Sequence, residues 1–395
     1  MTMLDVTRAR AETPGCAHVT HLNAAGAALL PAPVVEATIG HLRLEAERGG
    51  YEAAAANADA VERPYAAIAE LIGCRPTEVA IVENATRAWD MAFYGIPFRP
   101  GDRVLTTVAE YASNYVAYLQ LTRTRGIQVD VVPNDASGQL DVTALAAMID
   151  DRVRLISVTH VPTNSGLVNP AAEIGRIARA AGILYLVDAC QSVGQLPVDV
   201  EQIGCDFLSA TGRKYLRAPR GTGFLYVRES ALDRVEPPFV DLHAARWVRR
   251  DAYELRPDAR RFENWETNYA GKVGLGVAAD YLLGWGIESV WETVRELAAT
   301  LRTRLEQTPG VHVQDEGATR CGIVTFTKDG LDPRLLREEL RAEGINVWWA
   351  DVSSTRLDME QRGLDVVVRA SVHYYNTHEE IEAFGRRLER HPGHV

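Results

Sequence analysis

Three short apolar runs between residues 184 and 227, each ending or opening in small and polar residues, constrain the fold more than any other stretch. Leu184-Tyr185-Leu186-Val187 ends in Asp188-Ala189-Cys190-Gln191. A second run leads through Ser209-Ala210-Thr211-Gly212-Arg213 to Lys214, and Gly221-Thr222-Gly223 opens a third at residues 224–227. Runs of this length, bounded by Gly or Pro, read as strands. Asp188 is therefore predicted at the C-terminal end of one strand and Lys214 in the loop after the next, where open α/β sheets gather their ligands.

An acid and an amine held this way suit pyridoxal 5′-phosphate (PLP). That cofactor needs a lysine for a Schiff base and a carboxylate beside its pyridine nitrogen, because an adjacent anion keeps the nitrogen protonated and the ring an electron sink. Composition narrows the choice of lysine. Lys and Arg total 42, and only Lys214, Lys272 and Lys328 are lysines, leaving 39 arginines. Thr327-Lys328-Asp329-Gly330 reads as a turn, and Lys272 follows Gly271 at the start of a helix-like stretch. Only Lys214 follows a predicted buried strand.

A chain of 395 residues is long enough for two domains, or for one large domain with an appendage. A net charge of -11 argues against a general nucleic-acid binder. The first 20 residues carry Asp5, Arg8, Arg10 and Glu12 without an apolar core, so no signal peptide is expected. No stretch approaches the roughly 20 apolar residues of a membrane span, and a cytoplasmic location is expected. Five scattered cysteines without a Cys-x-x-Cys pair support neither a disulfide framework nor a zinc site, and no metal is expected.

Along the chain, Pro31 and Pro33 start a helical stretch to about Arg48, and Arg48-Gly49-Gly50-Tyr51-Glu52 breaks it. Residues 79–82 read as a strand, after which Asn84-Ala85-Thr86 opens a helix from about Arg87 to Tyr94. Free N–H groups there suit a phosphate, with the Thr86 hydroxyl as an extra donor, and an ordinary asparagine cap is the competing reading. Strands follow at 103–108 and 155–161. Asn169, Pro170 and Gly182 frame a helix as cap, first-turn proline and C-terminal glycine, so that strand, helix and strand give a right-handed crossover and a parallel sheet. Beyond Gly271 the pattern turns to helices with short strands at 323–326 and 366–374, a helix at 333–343, and a capping box at Thr377-His378-Glu379-Glu380.

Val187-Asp188-Ala189-Cys190-Gln191 followed by Thr211-Gly212-Arg213-Lys214 resembles the fold-type I PLP enzymes of the class V aminotransferase and cysteine desulfurase group, over residues 23–369. The resemblance implies an α/β fold: a large domain with a mainly parallel seven-stranded sheet and a smaller α+β C-terminal domain. The expected division is an N-terminal arm at 1–30, the PLP domain at 31–270 and the small domain at 271–395. Lys214 and Asp188 then take the roles above, with Gln191 in the Asp-x-x-Gln pattern. Tyr111 stands where desulfurases carry a ring-stacking histidine. It supplies a flat face, but its hydroxyl ordinarily titrates near 10 and is a poorer proton carrier, and a core tyrosine is the alternative. Thr163 falls at the position of a donor to the ring's phenolic oxygen, with Asn164 as the alternative. Thr211 and Arg213 flank the lysine as phosphate ligands, Arg213 replacing a histidine. Thr267 matches a threonine that reaches the neighbouring subunit's phosphate, which implies a homodimer with shared sites; a local helix cap is its other reading. Arg369 matches the arginine that grips the substrate carboxylate of an amino acid. Asn23 and Ala24 are candidates for the substrate wall or for a plain loop at its mouth.

Desulfurases need a nucleophilic cysteine shortly before that arginine, and residues 346–368 contain none. The Gly49-Gly50-Tyr51 phrase, which makes Tyr51 a substrate-site candidate, resembles carbon–sulfur lyases of ergothioneine biosynthesis and relatives in lincosamide pathways. The resemblance implies β-elimination from a cysteine S-conjugate to a thiol, pyruvate and ammonia. It leaves open decarboxylation-coupled oxidative deamination of such a conjugate, isopenicillin N epimerase-like racemisation, and transamination.

Overall fold

The computed structural model describes residues 4–390. The outermost residues of the expected arm and small domain, 1–3 and 391–395, lie outside the described residues. A seven-stranded sheet is built from β1 (Val79–Val82), β2 (Arg103–Thr107), β3 (Gln128–Val132), β4 (Val153–Thr159), β5 (Leu184–Asp188), β6 (Phe207–Thr211) and β7 (Gly223–Val227). Its order is β1-β7-β6-β5-β4-β2-β3; β7 is antiparallel to both neighbours and the remaining pairs are parallel. Every residue of β1, β5, β6 and β7 is buried. Coverage of both faces is what makes these strands read as continuous apolar runs.

Helices cover the sheet. α1 (Ala32–Arg48) is separated from α2 (Gly50–Ala56) by Gly49, whose φ of 95° breaks the helix axis where the paired glycines predict a break. α3 (Ala58–Ile72), α4 (Ala85–Phe93), α5 (Ala112–Arg125) and α6 (Ala171–Ala181) follow. At α6 the expectation needs correcting. Pro170 is the N-cap, and Asn169 does not cap: its amide donates to Thr159 O at 2.8 Å and accepts from Leu140 N at 3.1 Å. A buried asparagine beside two unpaired backbone groups satisfies those first. β4 also begins and ends two residues before the expected 155–161. Arg154 turns outward to Asp102 at 3.1 Å, and the His160 N–H bonds Asp188 O at 2.9 Å as the chain leaves the sheet.

A hairpin of β8 (Ala245–Arg249) and β9 (Ala252–Leu255) projects next. It was not foreseen, because its charged residues mask the alternation of a strand. α7 (Tyr269–Trp285) packs against α1 and α3, so it belongs by contact with the large unit although it starts at the expected boundary. α8 (Ile287–Glu306), α9 (Pro333–Ala342) and α10 (His378–Glu389) accompany an antiparallel four-stranded sheet, ordered β10 (Val311–Val313), β11 (Ile323–Lys328), β13 (Val366–Ser371) and β12 (Trp348–Asp351). The capping box at α10 is present, with Thr377 and Glu380 exchanging bonds. Residues 20–21 pair in parallel with residues 345–346, which fastens the N-terminal segment to the small unit. No described helix is long and apolar enough to cross a membrane.

Candidate active site

The C-terminal ends of β5 and β6 and the N-termini of α4 and α5 border a cleft of about 480 Å³, within the range of small-molecule sites. Asp188 and Thr211 close their strands, and Lys214 follows β6; all three line the cleft and are buried. Asp188 accepts from Asn114 Nδ2 at 3.0 Å and from the Cys190 N–H at 2.9 Å. Burial raises its pKa above the ordinary carboxylate value, and burial lowers that of Lys214, leaving more of the amine neutral and nucleophilic. The other two lysines are occupied elsewhere: Lys272 donates to the Tyr65 hydroxyl at 2.8 Å and Lys328 to Pro309 O at 2.9 Å. All three lysines are buried, at 8, 7 and 9% exposure for Lys214, Lys272 and Lys328.

The cap reading of Asn84 holds, and the residue also lines the cleft. Its side chain caps α4 by accepting from Arg87 N at 2.9 Å, and with Ala85 and Thr86 it lines the cleft. Gly223 makes room for this approach, since a Cβ there would lie 2.9 Å from Asn84 Cα and 2.7 Å from Ala210 O. Arg213 lines the same end, its guanidinium donating to Thr211 Oγ1 at 3.5 Å. Tyr111 stands at the N-cap of α5 and faces the cleft, 37% exposed.

Other expected residues stand outside the cleft wall. Gln191 is buried, donating to Ala25 O at 3.2 Å with its own carbonyl oxygen unpartnered. Thr163 meets Arg369: Nη1 donates to its Oγ1 at 2.5 Å and its carbonyl at 3.3 Å. Arg369 is buried, its Nε has no partner, and it forms no ion pair among the described residues. Burial lowers its pKa to about 10. Asn23 and Ala24 run beside Ser371, two residues past Arg369 on β13, and Asn23 Oδ1 is buried without a partner. Asn164 turns away to Thr355 Oγ1 at 3.0 Å and Ser354 Oγ at 3.2 Å. Tyr51 is 75% exposed on α2, and Thr267 is partly buried before α7; neither lines the cleft.

Sequence reasoning missed Glu110, Asn114 and Arg220. Asn114 and Arg220 line the cleft, and buried Glu110 bonds Asn114 from behind. The spacing of Glu110 and Asn114, four apart at a helix start, could have flagged the pair. Of the five cysteines, Cys321 is buried with its thiol pushed up to about 12, and Cys190 faces the cleft with its thiol also raised by burial.

The sequence model described as aminotransferase class-V matches residues 20–384. The chain belongs to the class V aminotransferase family. This class V chain is 32% identical over 381 residues to a probable cysteine desulfurase of Methanothermobacter thermautotrophicus, covering 94% of each. It superimposes on the apo cysteine desulfurase of Thermococcus onnurineus with a TM-score of 0.91 at 27% identity, covering 98% of each chain. It also superimposes on C-DES, a cystine C–S lyase, in complex with cysteine persulfide, at TM-score 0.86 and 26% identity over 96% of this chain and 99% of that one. The class V protein is a fold-type I, PLP-dependent enzyme. Its donor set fits the cofactor: a buried carboxylate and a buried amine share one cleft with a helix N-terminus and an arginine for phosphate.

Proposed function

We propose that the protein is a carbon–sulfur β-lyase that converts a cysteine S-conjugate and water to a thiol, pyruvate and ammonia. One observation carries this reading: residues 346–368, the stretch before Arg369 in which a desulfurase would need its nucleophilic cysteine, contain none, and the turn after β12 carries Ser353, Ser354 and Thr355. With no thiol there, the released sulfur leaves as a thiol instead of passing to the protein. The similarity to a cystine C–S lyase supports the same direction.

PLP, when bound, supplies an electron sink for the pair left at the substrate Cα. Lys214 is the residue for its aldehyde and afterwards the base that takes the Cα proton onto Nζ. Bound there, the cofactor would be held by Asp188 at its ring nitrogen, by Gln191 and Thr163 from outside the cleft wall, with Thr163 toward the phenolic oxygen, and by Tyr111 against the ring. Asn84, Ala85, Thr86, Thr211 and Arg213 would hold its phosphate. Arg369 takes the substrate carboxylate through its unused N–H groups, with Asn23 and Ala24 beside it and Tyr51, exposed on α2, as a further substrate contact. A homodimer completes the site through Thr267. Phe239, Leu242, Trp247 and Trp265, at 58, 74, 70 and 54% exposure, leave apolar surface in the same part of the chain for a second copy to cover.

The test is a panel of cysteine S-conjugates with products identified by mass spectrometry. Equal amounts of thiol and pyruvate are expected. Alanine with protein-bound persulfide, or carbon dioxide in step with substrate loss, would overturn β-elimination.

A further inference from the structure

Behind the cleft, two buried carboxylates share one amide. Glu110 is 3% exposed; its Oε2 accepts from the Thr106 hydroxyl at 2.8 Å. Its Oε1 accepts from Tyr111 N at 2.9 Å, Asn114 Nδ2 at 2.8 Å and the Thr159 hydroxyl. The same Asn114 nitrogen reaches Asp188 Oδ2 at 3.0 Å. An asparagine NH2 has two hydrogens, so this one is fully used and cannot turn without abandoning a carboxylate. Neither acid forms an ion pair among the described residues. Glu110 thereby ties the ends of β2 and β4 to the start of α5, and bonds the backbone of Tyr111 and the amide that directs Asp188. Fully satisfied buried networks of this kind fix a single geometry.

We propose that Glu110 is a positioning residue for the cofactor ring, acting through Asn114 on the direction of the Asp188 carboxylate and through the Tyr111 N–H on the placement of Tyr111. The proposal rests on the reading that Asp188 receives the ring nitrogen. It adds a residue that lines no part of the cleft, and whose effect passes through the Asn114 amide and the Tyr111 N–H.

The apoprotein is titrated with PLP, following the dissociation constant and the circular dichroism induced in the bound cofactor. Glu110→Ala is expected to weaken PLP on the order of tenfold and to reduce the induced signal. Glu110→Gln is expected to stay within about twofold of the parent, because its amide oxygen can replace Oε1 while its NH2 meets the Thr106 hydroxyl. Glu110→Ala combined with Asn114→Ala should lose less than the sum of the two single losses, because the Asn114 route is common to both. Normal PLP affinity and dichroism in Glu110→Ala, equal damage by Gln and Ala, or additive losses in the double variant would each overturn the proposal. If Glu110→Ala does not fold, Asn114→Ala carries the test: it must alter the induced dichroism at an unchanged melting temperature, and an unaltered signal refutes the link. Asp188→Asn is measured alongside. Unchanged PLP binding there would overturn the Asp188 assignment itself, and this proposal with it.

Discussion

At the scale of single residues, Arg369 and Glu110 are the two charges whose surroundings make demands. A guanidinium buried with an unpaired Nε is costly unless an anion completes it. Arg369→Lys keeps the charge and loses the two-point fork, so substrate binding should weaken by about 1–3 kcal/mol while PLP content stays unchanged. Normal substrate affinity in a folded, fully loaded variant would sink the carboxylate role; a lower melting temperature with unaltered affinity would mark the arginine as structural. Glu110 makes a pH argument. Burial raises its carboxyl from 4.5 to about 7, with Asp188 adding to the rise, and Tyr118 is the other titratable group beside it. The folded protein therefore keeps a proton that the unfolded chain loses as pH rises. This contribution to stability is fully present below 4.5 and disappears as pH passes about 7, with a slope of at most about 1.4 kcal/mol per pH unit. Relative to Glu110→Gln, the parent apoprotein should melt progressively lower between pH 5 and pH 7.5. Parallel melting curves across that range would show that Glu110 is ionised throughout.

At the scale of elements, β7 and α4 are separated by no side chain at Gly223. A methyl group there meets backbone on both sides, which cannot move aside as a flexible side chain would. Gly223→Ala should cost about 1–3 kcal/mol in urea denaturation and weaken PLP binding as well, because it pushes Asn84 and the first turn of α4 away from the cleft. A loss of stability with unaltered PLP affinity would show that α4 does not hold the phosphate. The same elements mark what could be read in advance. β1, β5, β6 and β7 were legible because burial on both faces leaves an unbroken apolar signature, and Asp188 and Lys214 were legible because they terminate or follow such runs. β8 and β9 were hidden by arginines that alternate with apolar side chains only loosely. Asn169 misled because a cap-forming residue before proline says nothing about which unpaired backbone groups lie nearby in space. Glu110 and Asn114 escaped notice for a related reason: their partners come from three separate strands.

The molecule as a whole divides the proposed chemistry between two sheets. Asp188 and Lys214 stand at the edge of the seven-stranded sheet, and Arg369 stands on the four-stranded one. Thr267 adds the expectation of a third contributor, the second copy. Mixing Lys214→Ala with Thr267→Ala subunits creates heterodimers in which one site carries both lesions and the other neither. Activity should then rise above that of either parent variant, whereas no recovery would mean that each subunit works with its own threonine or none. The burial of all three lysines carries a different implication. An aldehyde offered to most proteins condenses with many surface amines, but here every side-chain amine is withdrawn, and that of Lys214 borders an open cleft. Amine-reactive esters should leave the lysine side chains of the native enzyme largely untouched and modify them upon unfolding. The chain's preference for arginine thus amounts to chemoselectivity, steering an electrophilic carbonyl, among the side-chain amines, toward Lys214.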